Sequence, residues 1–245
     1  MARGKIIGIL GGMGPLATAD LYRKIIEATP ASNDQEHLHV IIDADPSIPE
    51  RTTALLYGGE DPTPKLIAGA RRLAAAGVDF IIVPCNTAHA FLPRVAAAVD
   101  VPFVSMIEET ARYVAGITQP GEAAGVLASA GTIATGLYQQ ALERQDRGAL
   151  APSEANQAGI TAAIAAVKAG NTSKSATALA MPAAAELAAR GARVLLAACT
   201  ELPLIIAPDD VTVRLVDPTN VLAQAAVRRA LAAEHEKVSV HVLPA

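Results

Sequence analysis

The chain has two cysteines, and each follows a run of apolar residues that is typical of a buried β-strand. Cys85 ends the run that begins at Phe80, and Cys199 ends the run that begins at Val194. Small hydroxyl or amide side chains follow each thiol. With one thiol on either side of a bound molecule, one sulfur could take a proton from a carbon while the other returns a proton to the opposite face. The matched positions therefore indicate one site with sulfur on both sides.

Two structural alternatives compete with this interpretation of Cys85 and Cys199. A free cysteine is often only a small buried hydrophobe, but two cysteines at matched positions favour a functional pair. A disulfide is disfavoured because cytoplasmic thiols stay reduced and because a cleft would hold the sulfurs too far apart. The sequence has no C-x-x-C and no Cys/His cluster at zinc-ligand spacing, so it predicts no metal site.

The pair of cysteines belongs to a longer internal repeat. Residues 8–18 resemble residues 125–135, since glycine, leucine, alanine and threonine recur there at a constant offset. The segments before the two cysteines match at nearly the same offset, and residues 101–105 resemble residues 213–217. Three matched pairs in the same order indicate the duplication of a β-loop-α unit.

Continuously apolar strands that alternate with helical patterns are typical of α/β proteins with parallel sheets. We expect two pseudo-symmetric domains, each a parallel sheet flanked by helices. The active site should lie in the cleft between them, because ligands bind beyond the carboxyl ends of parallel strands. The first domain is predicted at residues 1–116 with about 218–245, and the second at residues 117–217.

Two helices carry specific expectations. The last helix, at about residues 220–234, should fold back onto the first domain. Pro182 should break or start a helix within the alanine-rich stretch 173–190, because proline lacks the amide hydrogen that a helix interior needs.

Composition and charge limit the classes of protein. The chain has 245 residues, of which 51% are hydrophobic and 18% charged, as in a compact globular protein. A net charge of −4 gives no basic surface for nucleic acid. The apolar run 6–10 is too short for a signal peptide, and no stretch reaches the roughly 18 apolar residues that cross a membrane. Two cysteines without a targeting segment predict a cytoplasmic protein.

Residues 12–17 also fit the G-x-G-x-x-A pattern of dinucleotide-binding loops. Pro15 removes one amide donor that a pyrophosphate would use, although proline is normal in a first helical turn. Asp43 and Asp45 lie farther along the chain than the usual ribose-binding acid. A dinucleotide-binding or non-catalytic ligand-binding protein stays open as an alternative, but it leaves the matched cysteines unexplained.

Three motifs together resemble the aspartate/glutamate racemase family, in the branch of aspartate racemases and broad amino-acid racemases. They are Gly-Gly-Met-Gly-Pro at 11–15, Pro-Cys-Asn-Thr-Ala-His at 84–89 and Ala-Cys-Thr-Glu-Leu-Pro at 198–203. The likeness covers nearly the whole chain. In glutamate racemases Thr-His typically follows the second cysteine. This chain has Thr200-Glu201 there, which favours the aspartate branch.

The resemblance implies a two-base amino-acid racemase that acts on aspartate or glutamate and uses no cofactor. It implies that Cys85 and Cys199 are the catalytic bases, one as thiolate and one as thiol, and that the protein is a homodimer. Hydantoin racemases and maleate isomerases, which also use paired cysteines, are the enzymatic alternatives.

The same resemblance implies residues that bind the substrate. Arg51 matches the family's arginine in Pro-Glu-Arg-Thr, and a guanidinium can bind a carboxylate in bidentate fashion. Lys168 matches a lysine of the aspartate-type members. If both bind, the substrate is acidic; a broader enzyme would use only the α-carboxylate. The other candidates lie beside the loops and the cysteines: Met13, Gly14, Asn86, Thr87, Ser129, Thr132, Thr200 and Glu201.

Several of these side chains have two interpretations. The hydroxyls of Ser129 and Thr132 could hold the α-carboxylate. Met13 could form a pocket wall or ordinary packing, and His89 could stabilise a thiolate or be a packed histidine. Glu201 could bind the substrate nitrogen or be an acid in a first helical turn.

Overall fold

A computed structural model describes residues 4–232 of the chain. Its strands form two parallel sheets of four strands each. The strands of the first sheet are β1 (Ile7–Gly11), β2 (Val40–Ala44), β3 (Phe80–Ile82) and β4 (Phe103–Val104). The strands of the second sheet are β5 (Ala123–Leu127), β6 (Gly148–Leu150), β7 (Ala192–Ala197) and β8 (Arg214–Val216).

The two sheets have the same topology. Their strand orders are β2-β1-β3-β4 and β6-β5-β7-β8, and all neighbouring strands are parallel. β3 and β7, which precede the two cysteines, therefore occupy equivalent places. The predicted α/β class with two pseudo-symmetric parallel sheets is confirmed.

Helices cover both sheets. The helices of the first half of the chain are α1 (Pro15–Ala28), α2 (Arg51–Leu56), α3 (Thr63–Ala75), α4 (Leu92–Ala96) and α5 (Met106–Ile117). Those of the second half are α6 (Ala130–Thr135), α7 (Leu137–Glu143), α8 (Glu154–Lys168), α9 (Lys174–Ala189) and α10 (Pro218–Leu231). Single turns of 3-10 helix lie at Asp34–Glu36, Thr87–Ala90, Leu202–Leu204 and Pro208–Asp210.

The central strands are largely apolar because helices cover both faces of each sheet. In β3, Phe80 and Ile82 pack against α1 and α10, whereas Ile81 packs against α3 and α4. β7 alternates in the same way: Val194 packs with α5 and α7, and Leu195 packs with α8 and α9. Successive side chains of a strand point to opposite faces, so all positions of β3, and all positions of β7 except the exposed Arg193, contribute to a core.

Two helices join the halves by crossing between them. α5 follows the first sheet but packs through Ile107, Ala111 and Val114 on the second. α10 follows the second sheet and packs through Leu222 and Ala226 on the first, as the sequence predicts. The assignment of residues 1–116 with 218–245 to one domain and 117–217 to the other stays a prediction, and residues 233–245 lie outside the described chain.

The predicted helix break at Pro182 is wrong. α9 runs without interruption from Lys174 to Ala189 with Pro182 inside it. Pro182 is exposed, and so is Ala178, whose carbonyl would otherwise accept the missing hydrogen bond. Solvent can satisfy that carbonyl while Ala180 and Leu187 keep the opposite face of the helix in the core.

Candidate active site

The loop after β1 is shaped by a close approach of two backbones. Gly12 has φ +91°, and a Cβ there would lie 2.4 Å from the backbone of Asp45, so glycine is required at this position. The amide of Gly12 donates to Oγ1 of Thr18 at 2.9 Å. The loop therefore lies against the segment that leads from β2 to α2 and is hydrogen-bonded to the first turn of α1.

Cys85 lies just beyond β3 and is buried. His89, one helical turn on, fixes the backbone around it. The amide of Met106 donates to Nε2 of His89 at 3.1 Å, so Nδ1 carries the hydrogen and donates to the Cys85 carbonyl at 2.9 Å. Burial lowers the pKa of His89 to about 4, which leaves the ring neutral near pH 7. Of the two interpretations of His89, the structure therefore favours a packed histidine over one that stabilises a thiolate.

Arg51 is buried beside Cys85 at the start of α2. Its guanidinium donates to the carbonyls of Ile48 at 3.4 Å, Pro49 at 3.2 Å and Met13 at 3.3 Å. Burial works against the charge of Arg51, but its interactions with Cys85, Glu50 and Glu201 raise its pKa above the ordinary value. Arg51 thus places a positive charge beside the Cys85 sulfur.

Cys199 has the opposite surroundings. Its Sγ donates to Oε2 of Glu201 at 3.0 Å. Burial raises the pKa of the Cys199 thiol well above its usual range, and the carboxylate of Glu201 raises it further, while the charge of Lys168 acts in the other direction. Near pH 7 Cys199 is therefore a thiol. Both cysteines are free, and one has a cation beside it and the other a carboxylate.

Three hydroxyls form a cluster that joins the two halves of the chain. Oγ1 of Thr87 lies 2.9 Å from Oγ of Ser129 and 2.8 Å from Oγ1 of Thr132. Ser129 also caps α6, where it accepts the amide of Thr132 at 3.3 Å. These hydroxyls bond to one another in this structure, and their role in holding an α-carboxylate stays a prediction.

Asn86 is oriented by a residue of the other half of the chain. The hydroxyl of Tyr138 donates to Oδ1 of Asn86 at 2.6 Å, and both residues are buried. Burial raises the pKa of Tyr138, so the phenol remains a donor at all ordinary pH values. With Oδ1 engaged, Nδ2 of Asn86 is a buried donor that has no hydrogen-bond partner among residues 4–232. Sequence reasoning missed Tyr138, because no local pattern links α7 to the Cys85 loop.

A cavity of about 550 Å³ lies between the halves, a volume in the range of small-molecule sites. The first half contributes to its wall Gly12, Met13, Gly14, Pro15, Leu16, Ala17, Pro46, Ile48, Glu50 and Arg51. The second half contributes Val167, Lys168, Gly170, Glu201 and Leu204. Five predicted substrate-binding residues thus meet at one cavity: Met13, Gly14, Arg51, Lys168 and Glu201.

The other predicted residues are not part of this wall. Those are the two cysteines with Asn86, Thr87, Ser129, Thr132 and Thr200. The thiols nevertheless adjoin the wall. Glu201 contacts Cys199 directly, and Arg51 lies beside Cys85.

Glu50 faces Lys168 across the cavity. It was not predicted as a site residue from the sequence, although it lies in the same Pro-Glu-Arg-Thr motif as Arg51. Oε1 of Glu50 lies 4.0 Å from Nζ of Lys168, and both side chains are half-exposed. Oε2 of Glu50 accepts the amide of Thr53 at 2.7 Å and so caps α2. An exposed ion pair of this kind contributes about 0–1 kcal/mol, so a substrate carboxylate could replace Glu50 beside Lys168.

The loop that fits the dinucleotide pattern faces a carboxylate. A Cβ on Gly14 would lie 3.8 Å from Oε1 of Glu201, so this acid is close to the first turn of α1. A negative group there opposes the binding of a pyrophosphate, which needs the positive end of the helix dipole. Dinucleotide binding is disfavoured for this reason.

Within residues 4–232, no three His, Cys, Asp or Glu side chains come together as metal ligands. None of the helices in the same range is long and apolar enough to cross a membrane.

Comparison with known proteins identifies the family. The family described as Asp/Glu/Hydantoin racemase matches residues 10–226. The broad specificity amino-acid racemase RacX of Bacillus subtilis (strain 168) is 30% identical over 231 residues, which cover 93% of this chain and 99% of RacX. The chain therefore belongs to the Asp/Glu/hydantoin racemase family.

Solved structures of related proteins agree with this assignment. An aspartate racemase from Picrophilus torridus superposes with a TM-score of 0.82 at 30% identity, over 92% of this chain and 94% of that chain. A glutamate racemase from Francisella tularensis, solved with D-glutamate, shares the fold with a TM-score of 0.67 at 16% identity, over 91% of this chain and 80% of that chain. The predicted family, and the prediction of an amino-acid racemase among the isomerases, are confirmed.

Proposed function

We propose that the protein interconverts the L and D forms of aspartate or glutamate by moving the Cα proton between Cys85 and Cys199, without a cofactor. One observation carries the proposal. The two thiols follow equivalent strands of two pseudo-symmetric sheets, and one lies beside Arg51 while the other donates to Glu201. This is the asymmetry that a base and an acid need at the two ends of one proton transfer.

In the proposed reaction the Cys85 thiolate removes the Cα proton and becomes a thiol. The electron pair left on Cα delocalises into the α-carboxylate, whose developing charge needs hydrogen-bond donors. Cys199 gives its proton to the opposite face of Cα and becomes a thiolate. The reverse reaction exchanges the two roles, and the balance needs no oxidant or reductant.

Substrate binding is part of the same proposal. The unpaired Nδ2 of Asn86 and the hydroxyls of Thr87, Ser129 and Thr132 are donors for the α-carboxylate. Lys168 is the cation for an acidic side chain, which would take the place of Glu50. A homodimer in the cytoplasm also stays a prediction.

A broader substrate range is the second candidate. Its support is the 30% identity to a broad specificity amino-acid racemase over 93% of this chain. Apolar side chains also line part of the cavity, namely Met13, Leu16, Ile48, Val167 and Leu204.

Chiral chromatography after incubation with single enantiomers tests both candidates. Aspartate and glutamate should racemise without added cofactor, and replacing either Cys85 or Cys199 by alanine should abolish turnover. Racemisation of neutral and basic amino acids at similar rates would favour the broad enzyme, and hydantoins belong in the same panel. Near-normal turnover in both cysteine variants would contradict the two-base reaction.

A further inference from the structure

The carboxylate of Glu201 has an unusual position for an acid. It is buried, and its hydrogen bonds within the described chain are with Sγ of Cys199 at 3.0 Å and Oγ1 of Thr200 at 3.5 Å. An ionised carboxylate can only accept hydrogen bonds, so the proton between Glu201 and Cys199 belongs to the sulfur. The contact is specific to the thiol form, because a thiolate would have no hydrogen to donate.

Glu201 also acts on Cys199 through its charge. If Cys199 lost its proton, two negative charges would lie about one hydrogen-bond length apart in a buried place. Such pairs are costly, because water does not screen them there. Burial and the charge of Glu201 are the leading causes that raise the pKa of Cys199. The hydrogen bond between Cys199 and Glu201 and the charge of Glu201 therefore both favour the thiol form of Cys199.

We propose that Glu201 is the positioning residue that keeps Cys199 in its thiol form and orients its S–H bond. This inference rests on the proposed two-base function. Before substrate binds, Cys199 is then the proton donor and Cys85, beside Arg51, is the proton acceptor. Once Cys199 has given up its proton, the neighbouring carboxylate makes the thiolate a stronger base for the reverse reaction. Glu201 thus acts through Cys199 and not through the substrate.

The chain allows a direct test because it has only two cysteines. In a Cys85→Ala variant the sole thiol is Cys199, and its alkylation by iodoacetamide can be followed by mass spectrometry from about pH 6 to about pH 10. The alkylation midpoint should lie above about 8.5, the value of free cysteine. Adding Glu201→Gln removes the charge and keeps the shape. The midpoint should then fall by about one pH unit or more, so that alkylation near pH 8 becomes about tenfold faster.

A matched control removes a distant carboxylate. Glu154→Gln in the same Cys85→Ala background changes an exposed acid at the end of α8 opposite to Lys168, and it should leave the curve unchanged. Equal alkylation curves for Cys199 in the Cys85→Ala variant and in the variant that also carries Glu201→Gln would overturn the proposal. This readout does not depend on turnover, so it separates failure of the Glu201 role from failure of the racemase function. If the double variant does not fold, mass mapping of Cys199 in the single Glu201→Gln protein gives the same curve.

Steady-state kinetics give a second readout that a substrate-binding role would not produce. In Glu201→Gln the alkaline limb of kcat/KM, where Cys199 loses its proton, should move to lower pH while KM changes less than twofold. If Glu201 instead binds the substrate nitrogen, KM should rise strongly and the alkylation curve should stay in place. That result would contradict the proposal.

Discussion

At the scale of single residues, the two thiols have different protonation partners. Arg51 lies beside Cys85, and Glu201 accepts the hydrogen of Cys199. His89 carries no charge near pH 7 and serves as a bridge between the Cys85 carbonyl and the Met106 amide. In the proposed reaction, these different surroundings distinguish the two thiols as base and acid.

His89 makes stability depend on pH. Burial lowers its pKa from 6.5 to about 4 in the folded chain, so the unfolded chain binds a proton at a higher pH than the folded one. The stability is full above pH 6.5 and falls as the pH drops towards about 4. The loss through this group is about 3 kcal/mol. Urea denaturation at several pH values measures it.

The control for His89 is a neutral side chain of similar size. His89→Gln should be less stable than the wild type at pH 7, because it leaves a buried amide poorly paired. Its stability should depend less on pH between 6.5 and about 4. Parallel curves for the two proteins across this range would show that His89 is not the titrating group.

At the scale of elements, short helices from the two halves meet at the site. α6 approaches α2 so closely that a Cβ on Gly131 would lie 2.8 Å from Oγ1 of Thr52 and 3.0 Å from Cγ2 of Thr87. The hydroxyl cluster and the Tyr138–Asn86 hydrogen bond lie at the same junction. We expect this contact to help set the separation between the two sheets.

Gly131→Ala should push α6 away from α2. The variant should lose about 1–3 kcal/mol of unfolding free energy, as expected for overpacking, and most of the racemase activity. Thermal denaturation and the chiral assay measure the two effects. Gly116→Ala is the matched control, because a Cβ there would meet no non-neighbouring atom of the described chain within 4 Å and alanine favours the helix. If both variants behave like the wild type, α6 and α2 do not set the spacing.

The sequence predicts some of these elements better than others. Continuous apolar runs identify β3 and β7, and the repeat predicts two equivalent sheets, because those signals lie in neighbouring residues. The packing of α5 on the second sheet and the contact between Tyr138 and Asn86 have no such signal. They depend on how the halves meet. Pro182 misleads because its ring and the carbonyl it leaves unpaired lie on the solvent side of α9.

At the scale of the whole molecule, charges from both halves meet across one cavity. Glu50 and Arg51 come from the first half, and Lys168 and Glu201 come from the second. The Lys168–Glu50 pair is half-exposed and its atoms are 4.0 Å apart, so it is weak enough to be exchanged. In the proposed function, Lys168 is the cation for an acidic substrate and Glu50 is a carboxylate of the chain that competes for it.

Glu50→Gln should strengthen the binding of acidic substrates. Lys168 would lose its competing carboxylate, while the amide oxygen of glutamine could still cap α2. KM for aspartate or glutamate should fall by about two- to fivefold, and Lys168→Met should raise it. Steady-state assays with an acidic and a neutral amino acid measure the effect. An unchanged KM in both variants would show that this ion pair has no part in substrate recognition.

The source of the transferred proton tests the two-base account most directly. With one pure enantiomer in deuterated water, the wild-type enzyme at low conversion should place solvent deuterium at Cα of the product, because Cys199 supplies the proton. The remaining substrate should contain almost none, because Cys85 takes its proton from the opposite face. Chiral chromatography with mass spectrometry separates the two pools. Deuterium appearing equally fast in both enantiomers would show a single base and contradict the account.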